Sequence, residues 1–256
     1  MKHTLTLAAW NFRLARRSLL ALWGIFAAQQ LALVVFRICW QGAAGMGLAS
    51  HYYVTMQIFA YLGFYLLTGL AAGLATHNSR RARSGYTWAT LPGTPAQKFG
   101  AKAITIAAAE VVFTAWQFVW YIVEFYPVTA LEVHLARNLY GAALPPANLY
   151  EQIVANNLFS RLLPRRPLQL VILLGILALS ALLLAALDTV RGWRKLPVFA
   201  VGGLCAWQCF YLVTVEQHPA WMFASASRNV AMALAAVLAV LTVWWAVRSI
   251  RRGETC

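Results

Sequence analysis

Six stretches of this chain are each long and apolar enough to cross a lipid bilayer. They are Ser18–Trp40, Val54–Thr76, Ala103–Pro127, Pro167–Val190, Leu196–Val215 and Asn229–Val247. About 20 apolar residues in a helix cover a hydrocarbon core of about 30 Å. Inside that core every backbone N–H and C=O must find a partner within the chain, which a helix supplies. The expected fold class is therefore an all-α polytopic membrane protein with six transmembrane helices. Composition agrees: 61% of the residues are hydrophobic and 11% charged, against about 45–50% and about 25% in soluble domains.

Charge gives the orientation. One side of the expected membrane holds Lys2, Arg13, Arg16, Arg17, Arg80, Arg81, Arg83, Lys98, Lys102, Arg191, Arg194, Lys195, Arg248, Arg251 and Arg252, fifteen cations. The other holds six: Arg37, Arg137, Arg161, Arg165, Arg166 and Arg228. Cations favour the cytoplasmic side, so both termini are expected inside. The net charge of +14 would suggest nucleic acid in a soluble protein. Here it is a topology signal with an affinity for anionic lipid, and no nucleic-acid partner is expected. A multi-pass membrane protein is therefore expected.

The first seventeen residues are expected to form an amphipathic interfacial helix, with Leu7, Trp10 and Leu14 toward lipid and Arg13 and Arg16 toward water. The apolar stretch behind them is too long for a signal-peptide core and lacks a small-residue cleavage site, so it reads as a retained first span. The domain division is thus 1–17, the interfacial helix, and 18–256, the six-span domain. Within the latter lie a cytoplasmic loop, 77–102, and an outer segment, 128–166. The outer segment has helical character at Thr129–Leu139 and Ala147–Leu163, split by Gly141 and Pro145-Pro146. An outer helical segment between spans three and four is therefore part of the expected architecture, as a lid, an interfacial helix or a connector.

The third span carries a polar seam. Glu110, Thr114, Gln117, Tyr121 and Glu124 are spaced 4, 3, 4 and 3 residues apart, which keeps them on one helix face. A carboxylate facing lipid costs about 2.5–3.5 kcal/mol on insertion scales. Two on one stripe imply a surface lined by protein or water. Gln30 and Arg37 share a face of span one, and Gln57, Tyr61, Tyr65 and Thr68 form a softer stripe in span two. Arg37 and Glu124 lie at similar depth and are expected to pair. Glu110 could meet Arg191 or Arg194, line a cavity, sit at a subunit interface, or make an interhelical hydrogen bond. The seam is read as either a substrate pathway or an interhelical contact.

The cytoplasmic loop begins with Arg80, Arg81 and Arg83 and continues through Tyr86, Trp88 and Leu91, apolar groups in a polar setting. Thr94 and Gln97 form a Thr-x-x-Gln capping box around Pro95, so a helix should begin there and run through Lys98 and Phe99 into the third span. Exposed aromatics on such a knuckle suit a docking point.

The run Leu91-Pro92-Gly93-Thr94-Pro95-Ala96-Gln97-Lys98-Phe99 resembles the Leu-Pro-x-Ser/Thr-x-x-Glu-Lys-Phe segment of small bacterial ABC-2-type transporter permeases. Gln97 stands where that family has Glu. The long outer segment follows span three, where many of these exporters place outer helices between spans five and six. The resemblance implies a multi-pass permease subunit of a bacterial inner membrane that hydrolyses no ATP itself. It implies partners too: an ABC-type ATPase subunit contacting Arg80, Arg81, Arg83, Tyr86, Trp88, Leu91, Thr94, Gln97, Lys98 and Phe99, and a second permease half completing the pathway as homo- or heterodimer. ATP and Mg would bind that ATPase subunit, and this chain would carry no cofactor.

Motifs for chemistry are missing. There is no GxxxxGK[ST] phosphate loop, HExxH or GxSxG. Cys39, Cys205, Cys209 and Cys256 show no ligand spacing, so neither a metal nor a disulfide framework is expected. His51 and His218 could meet Glu216 on the outer side, a minor candidate. Two other classes fit the residues. One is a membrane scaffold or accessory subunit that passes no substrate; the other is an integral-membrane lipid enzyme. Co-purified partners, or product formed by the chain alone, separate them.

Overall fold

The computed structural model describes residues 2–75, 91–141, 147–163, 167–190, 193, 195–203 and 225–252. Among them every regular element is helical. Helix α1 is Lys2–Trp40, α2 Leu48–Val54, α3 Gln57–Leu74, α4 Pro95–Tyr140, α5 Leu149–Ala155, α6 Asn157–Leu162, α7 Pro167–Thr189 and α8 Ser225–Arg251. By length and apolar composition, His3–Trp40, Gln57–Leu74 and Pro95–Asn138 can each cross a membrane, and Leu173–Thr189 is a shorter apolar helix. The protein is helical and membrane-embedded. Helix α7 matches the expected fourth stretch to within a residue, and α8 encloses the sixth. Of the fifth, 196–203 is helical and the rest lies outside the described residues.

Three boundaries differ from expectation. The first seventeen residues are not a separate flat-lying element, because α1 runs without a break from Lys2 to Trp40. No proline and no glycine before Gly24 interrupts it, and Asn11 is buried. The second stretch is divided: α2 ends at Val54, Met56 takes φ 51, and α3 starts at Gln57. The third does not end at Pro127, since α4 passes through the proline to Tyr140. Proline removes one helical N–H. The buried side chains on both sides of it, Phe125, Val128 and Glu132, hold the helix together across the gap.

The chain divides into two compact units. One comprises residues 17–68 and 110–173. In it, Phe26 of α1 stacks on Phe64 of α3 with ring centres 4.6 Å apart, and lies 5.5 Å from Phe113 of α4. Tyr61 stacks on Phe113 at 5.5 Å. Trp23 Nε1 donates to Thr68 Oγ1 at 3.2 Å. These contacts fix direction: Trp23 and Phe26 meet Thr68 and Phe64 in reverse order, so α1 and α3 are antiparallel. The α3–α4 contacts below are also in reverse order, so α1 and α4 run parallel. The turn between α1 and α2 uses Gly42, Gly45 and Gly47 at φ 63, 89 and 79, a region glycine enters without a Cβ clash. This brings α2 onto α5 and α6. Asn148 caps α5 through Tyr150 N and Asn156 caps α6 through Leu158 N. Phe159 of α6 packs on Phe118 and Tyr121 at 4.5 and 4.9 Å. The outer segment is thus folded onto its own unit.

The other unit comprises residues 1–16, 69–109 and 174–256. Leu7 and Ala8 of α1 pack with Ala101 of α4, and Leu91 lies against them. Thr105 Oγ1 is within reach of the carbonyls of Ala8 (3.2 Å) and Ala101 (2.8 Å). Lys102 and Asp188 form a buried ion pair between α4 and α7.

Candidate functional site

The seam on α4 faces protein. Glu110, Gln117 and Tyr121 are 0% exposed and Glu124 is 1% exposed, while Val111, Val119 and Val123 on the opposite face are 50%, 53% and 53% exposed. A soluble helix would place these groups the other way round; this one suits lipid outside and polar contacts within.

Each group meets the stripe at its own level. Tyr65 Oη donates to Glu110 Oε2 at 3.0 Å. Tyr61 Oη and Thr114 Oγ1 are 2.7 Å apart; Thr114 Oγ1 also donates to the Glu110 carbonyl at 2.9 Å, leaving Tyr61 as donor to the threonine. Tyr52 Oη, from α2, donates to Glu124 Oε2 at 2.7 Å. Tyr121 Oη donates to the Gln152 carbonyl of α5 at 3.1 Å. Three tyrosines on the α2–α3 segment therefore hold three levels of the stripe. Burial first, then the neighbouring Glu124 carboxylate, push the Tyr52 hydroxyl well above the ordinary tyrosine range, so it remains a donor.

Beyond Glu124 the polar contacts continue. Glu132 Oε1 lies 2.8 Å from His51 Nε2 and accepts from Gly47 N at 3.1 Å. Gln152 Oε1 accepts from Ala49 N at 2.9 Å. Side chains from α4 and α5 thus satisfy two backbone donors at the start of α2. Sequence reasoning missed Tyr52, Glu132 and Gln152, and it paired His51 with His218 and Glu216 where the contact made is with Glu132. Glu132 continues the seam at helical spacing through Val128, the one signal that could have found it.

Arg37 does not pair with Glu124. Its guanidinium reaches Met46 Sδ at 4.0 Å, and its Nε and Nη1 have no partner among the described residues. Glu124 takes its bond from the neutral Tyr52 hydroxyl instead. Gln30, Gln57 and Gln117 are buried alongside the stripe. Glu110 bonds a tyrosine; Arg191 and Arg194 lie outside the described residues, as do His218 and Glu216.

At the expected docking segment, the capping box forms. Gln97 Oε1 accepts from Thr94 N at 2.9 Å and Thr94 Oγ1 accepts from Gln97 N at 3.3 Å. His3 Nε2 contacts the Pro92 carbonyl. Thr94 is exposed, but Lys98 and Phe99 are buried within their own unit, so these two do not present a docking surface as expected. Capping at Thr94 sets the first turn of α4, and that turn places both residues on its covered side. Arg80, Arg81, Arg83, Tyr86 and Trp88 lie outside the described residues. Among the described residues no group of three His, Cys, Asp or Glu is placed to hold a metal ion.

No family model, curated protein or solved structure gives a significant match to the chain.

Proposed function

We propose that this chain is the membrane-spanning permease subunit of an ATP-driven, ABC-type transporter of a bacterial inner membrane. It works as one half of a dimer. A separate ATPase subunit docks on the loop 77–102, and the base of α1 passes its motion to α4. The observation that carries this reading is the hydroxyl-latched stripe from Glu110 to Glu124.

A pathway needs two states of similar free energy, one sealed and one open. Each tyrosine bond is worth about 0.5–1.5 kcal/mol net, or about 1.5–3 kcal/mol to a charged acceptor. Water can replace each when the α2–α3 segment swings away. The stripe therefore closes dry and opens wet at a cost that a partner's work can supply. Contact of His3 with Pro92, and of Leu7 and Ala8 with Ala101, gives α1 and the Leu91–Phe99 run a shared base on which such work could act.

Co-purification tests the partner: a stoichiometric nucleotide-hydrolysing subunit supports the proposal, and a stable complex lacking one sinks it. Replacing Glu110 and Gln117 together by Ala should reduce transport at unchanged expression; unchanged transport removes the pathway. A second reading, a membrane scaffold that passes nothing, is favoured by how completely the stripe is covered. It predicts a stable complex with another membrane protein and no ATPase.

A further inference from the structure

Three glutamines sit at one level of the helical packing without a hydrogen bond of ordinary geometry. The level is set by the aromatic contacts below it: Phe26 and Tyr61 each place a ring 5.5 Å from Phe113. Gln30 lies four residues past Phe26 on α1, and Gln117 four past Phe113 on the parallel α4. Gln57 lies four residues before Tyr61 on the antiparallel α3. Each offset is one turn, about 6 Å, toward the same end. The three are 0%, 1% and 0% exposed. None of their six side-chain amide atoms makes a hydrogen bond of ordinary geometry among the described residues, although the Gln117 amide lies close enough to the Tyr52 hydroxyl to act on it.

Buried amides are almost always bonded, and one left bare is costly. Three at one level, from three different helices, carry three carbonyl acceptors and six N–H donors. That set suits an occupant which both donates and accepts. A bare cation would use only the carbonyls and strand the N–H groups; an anion would do the reverse. Glu110 and Glu124 lie seven residues to either side of Gln117, about 10 Å along the helix, and each accepts from a tyrosine.

We infer that Gln30, Gln57 and Gln117 form a buried binding site for a neutral hydrogen-bonding group. Its occupant is a hydroxyl or carboxamide of a carried solute, or water holding the same place. The inference deepens the permease reading by giving its substrate a chemical class, and rests on that reading only for the word substrate. The test below uses the isolated chain without any ATPase. Failure of the transport assay therefore leaves it standing, and its own failure leaves the partner question untouched.

The full chain, purified and placed in lipid nanodiscs, is exposed to X-ray-generated hydroxyl radicals and read by mass spectrometry. Radicals form from water, so a buried ring is labelled only where water touches it. Phe26, Tyr61 and Phe113 should be labelled within about tenfold of exposed Tyr150, because bound water is held by several hydrogen bonds at such sites. The triple variant Gln30→Leu, Gln57→Leu, Gln117→Leu should lose that labelling by at least about fivefold. Acetamide and glycerol are then added as probes, with sodium and potassium chloride as ionic controls. Both probes also scavenge the radicals in bulk, so labelling is read as a ratio to Tyr150; a fall in that ratio for the three rings with acetamide or glycerol assigns the place to a solute's amide or hydroxyl. Labelling that no probe protects assigns it to water. Background labelling in the native chain, or protection by either salt alone, overturns the inference. Should the triple variant fail to fold, the native labelling and its protection pattern decide the matter.

Discussion

Glu124 is solvated in the protein interior by one neutral hydroxyl. Removing that donor leaves a buried carboxylate short of a bond, a loss of about 1–3 kcal/mol. Tyr52→Phe should therefore lower the thermal midpoint in detergent. Glu124→Gln in the same background should lose less on the Tyr52 change than the native chain does. Equal losses in both backgrounds would break the link. Ion pairs give a second measure. Lys102 and Asp188 are paired and buried, so reversing one should cost about 3–5 kcal/mol and exchanging both should recover much of it. Exchanging Arg37 and Glu124 should recover nothing, because these two do not touch. The stripe itself was legible, since spacings of 4, 3, 4 and 3 need no partner to be seen. Its partners were not. Tyr61 and Tyr65 were visible as a soft stripe on span two without an address. Tyr52 belongs to a short helix whose position depends on a glycine turn, and the Arg37–Glu124 expectation followed charge where hydrogen bonding decided.

Helix boundaries show the same division between local and distant causes. The start of α4 was readable because Thr94, Pro95 and Gln97 act within four residues of one another. Thr94→Ala should cost about 1 kcal/mol, with Thr94→Ser close to neutral, measured by thermal unfolding. Its passage through Pro127 was not readable, because the side chains that hold it there pack against other elements. The break at Met56 was hidden for a similar reason: α2 is anchored by Glu132 and Gln152, 85 and 103 residues from the Gly47 and Ala49 nitrogens they bind. Gly47 is the position where this anchoring leaves no room. A Cβ there would lie 2.8 Å from Gln152 Nε2, on a backbone at φ 79. Gly47→Ala should loosen α2 and lower the thermal midpoint well beyond what Gly24→Ala does, since nothing lies within 4 Å of a Cβ at Gly24. Equal effects at the two glycines would show that the α2 anchor carries no stability.

At the scale of the whole chain, the placement of cations makes one claim about direction. Fifteen of the lysines and arginines fall in segments that alternate with those holding the other six, a distribution from which both termini are expected on the cytoplasmic side. On that expectation helix α1 would leave the cytoplasm at its basic start and reach the far face near Trp40. Cys39, exposed and unpaired in a disulfide, lies one residue before that end. A membrane-impermeant maleimide added to intact spheroplasts should label Cys39 in a variant whose Cys205, Cys209 and Cys256 are replaced by Ser. A variant keeping only Cys256 should be labelled after permeabilisation alone. The proposed docking of an ATPase on 77–102 depends on this result, because the expected topology puts that loop on the side of the amino terminus. Labelling of Cys256 from outside, with Cys39 protected, would place the loop where no cytoplasmic nucleotide-driven partner can reach it. The permease proposal would then fall whatever the stripe on α4 can bind.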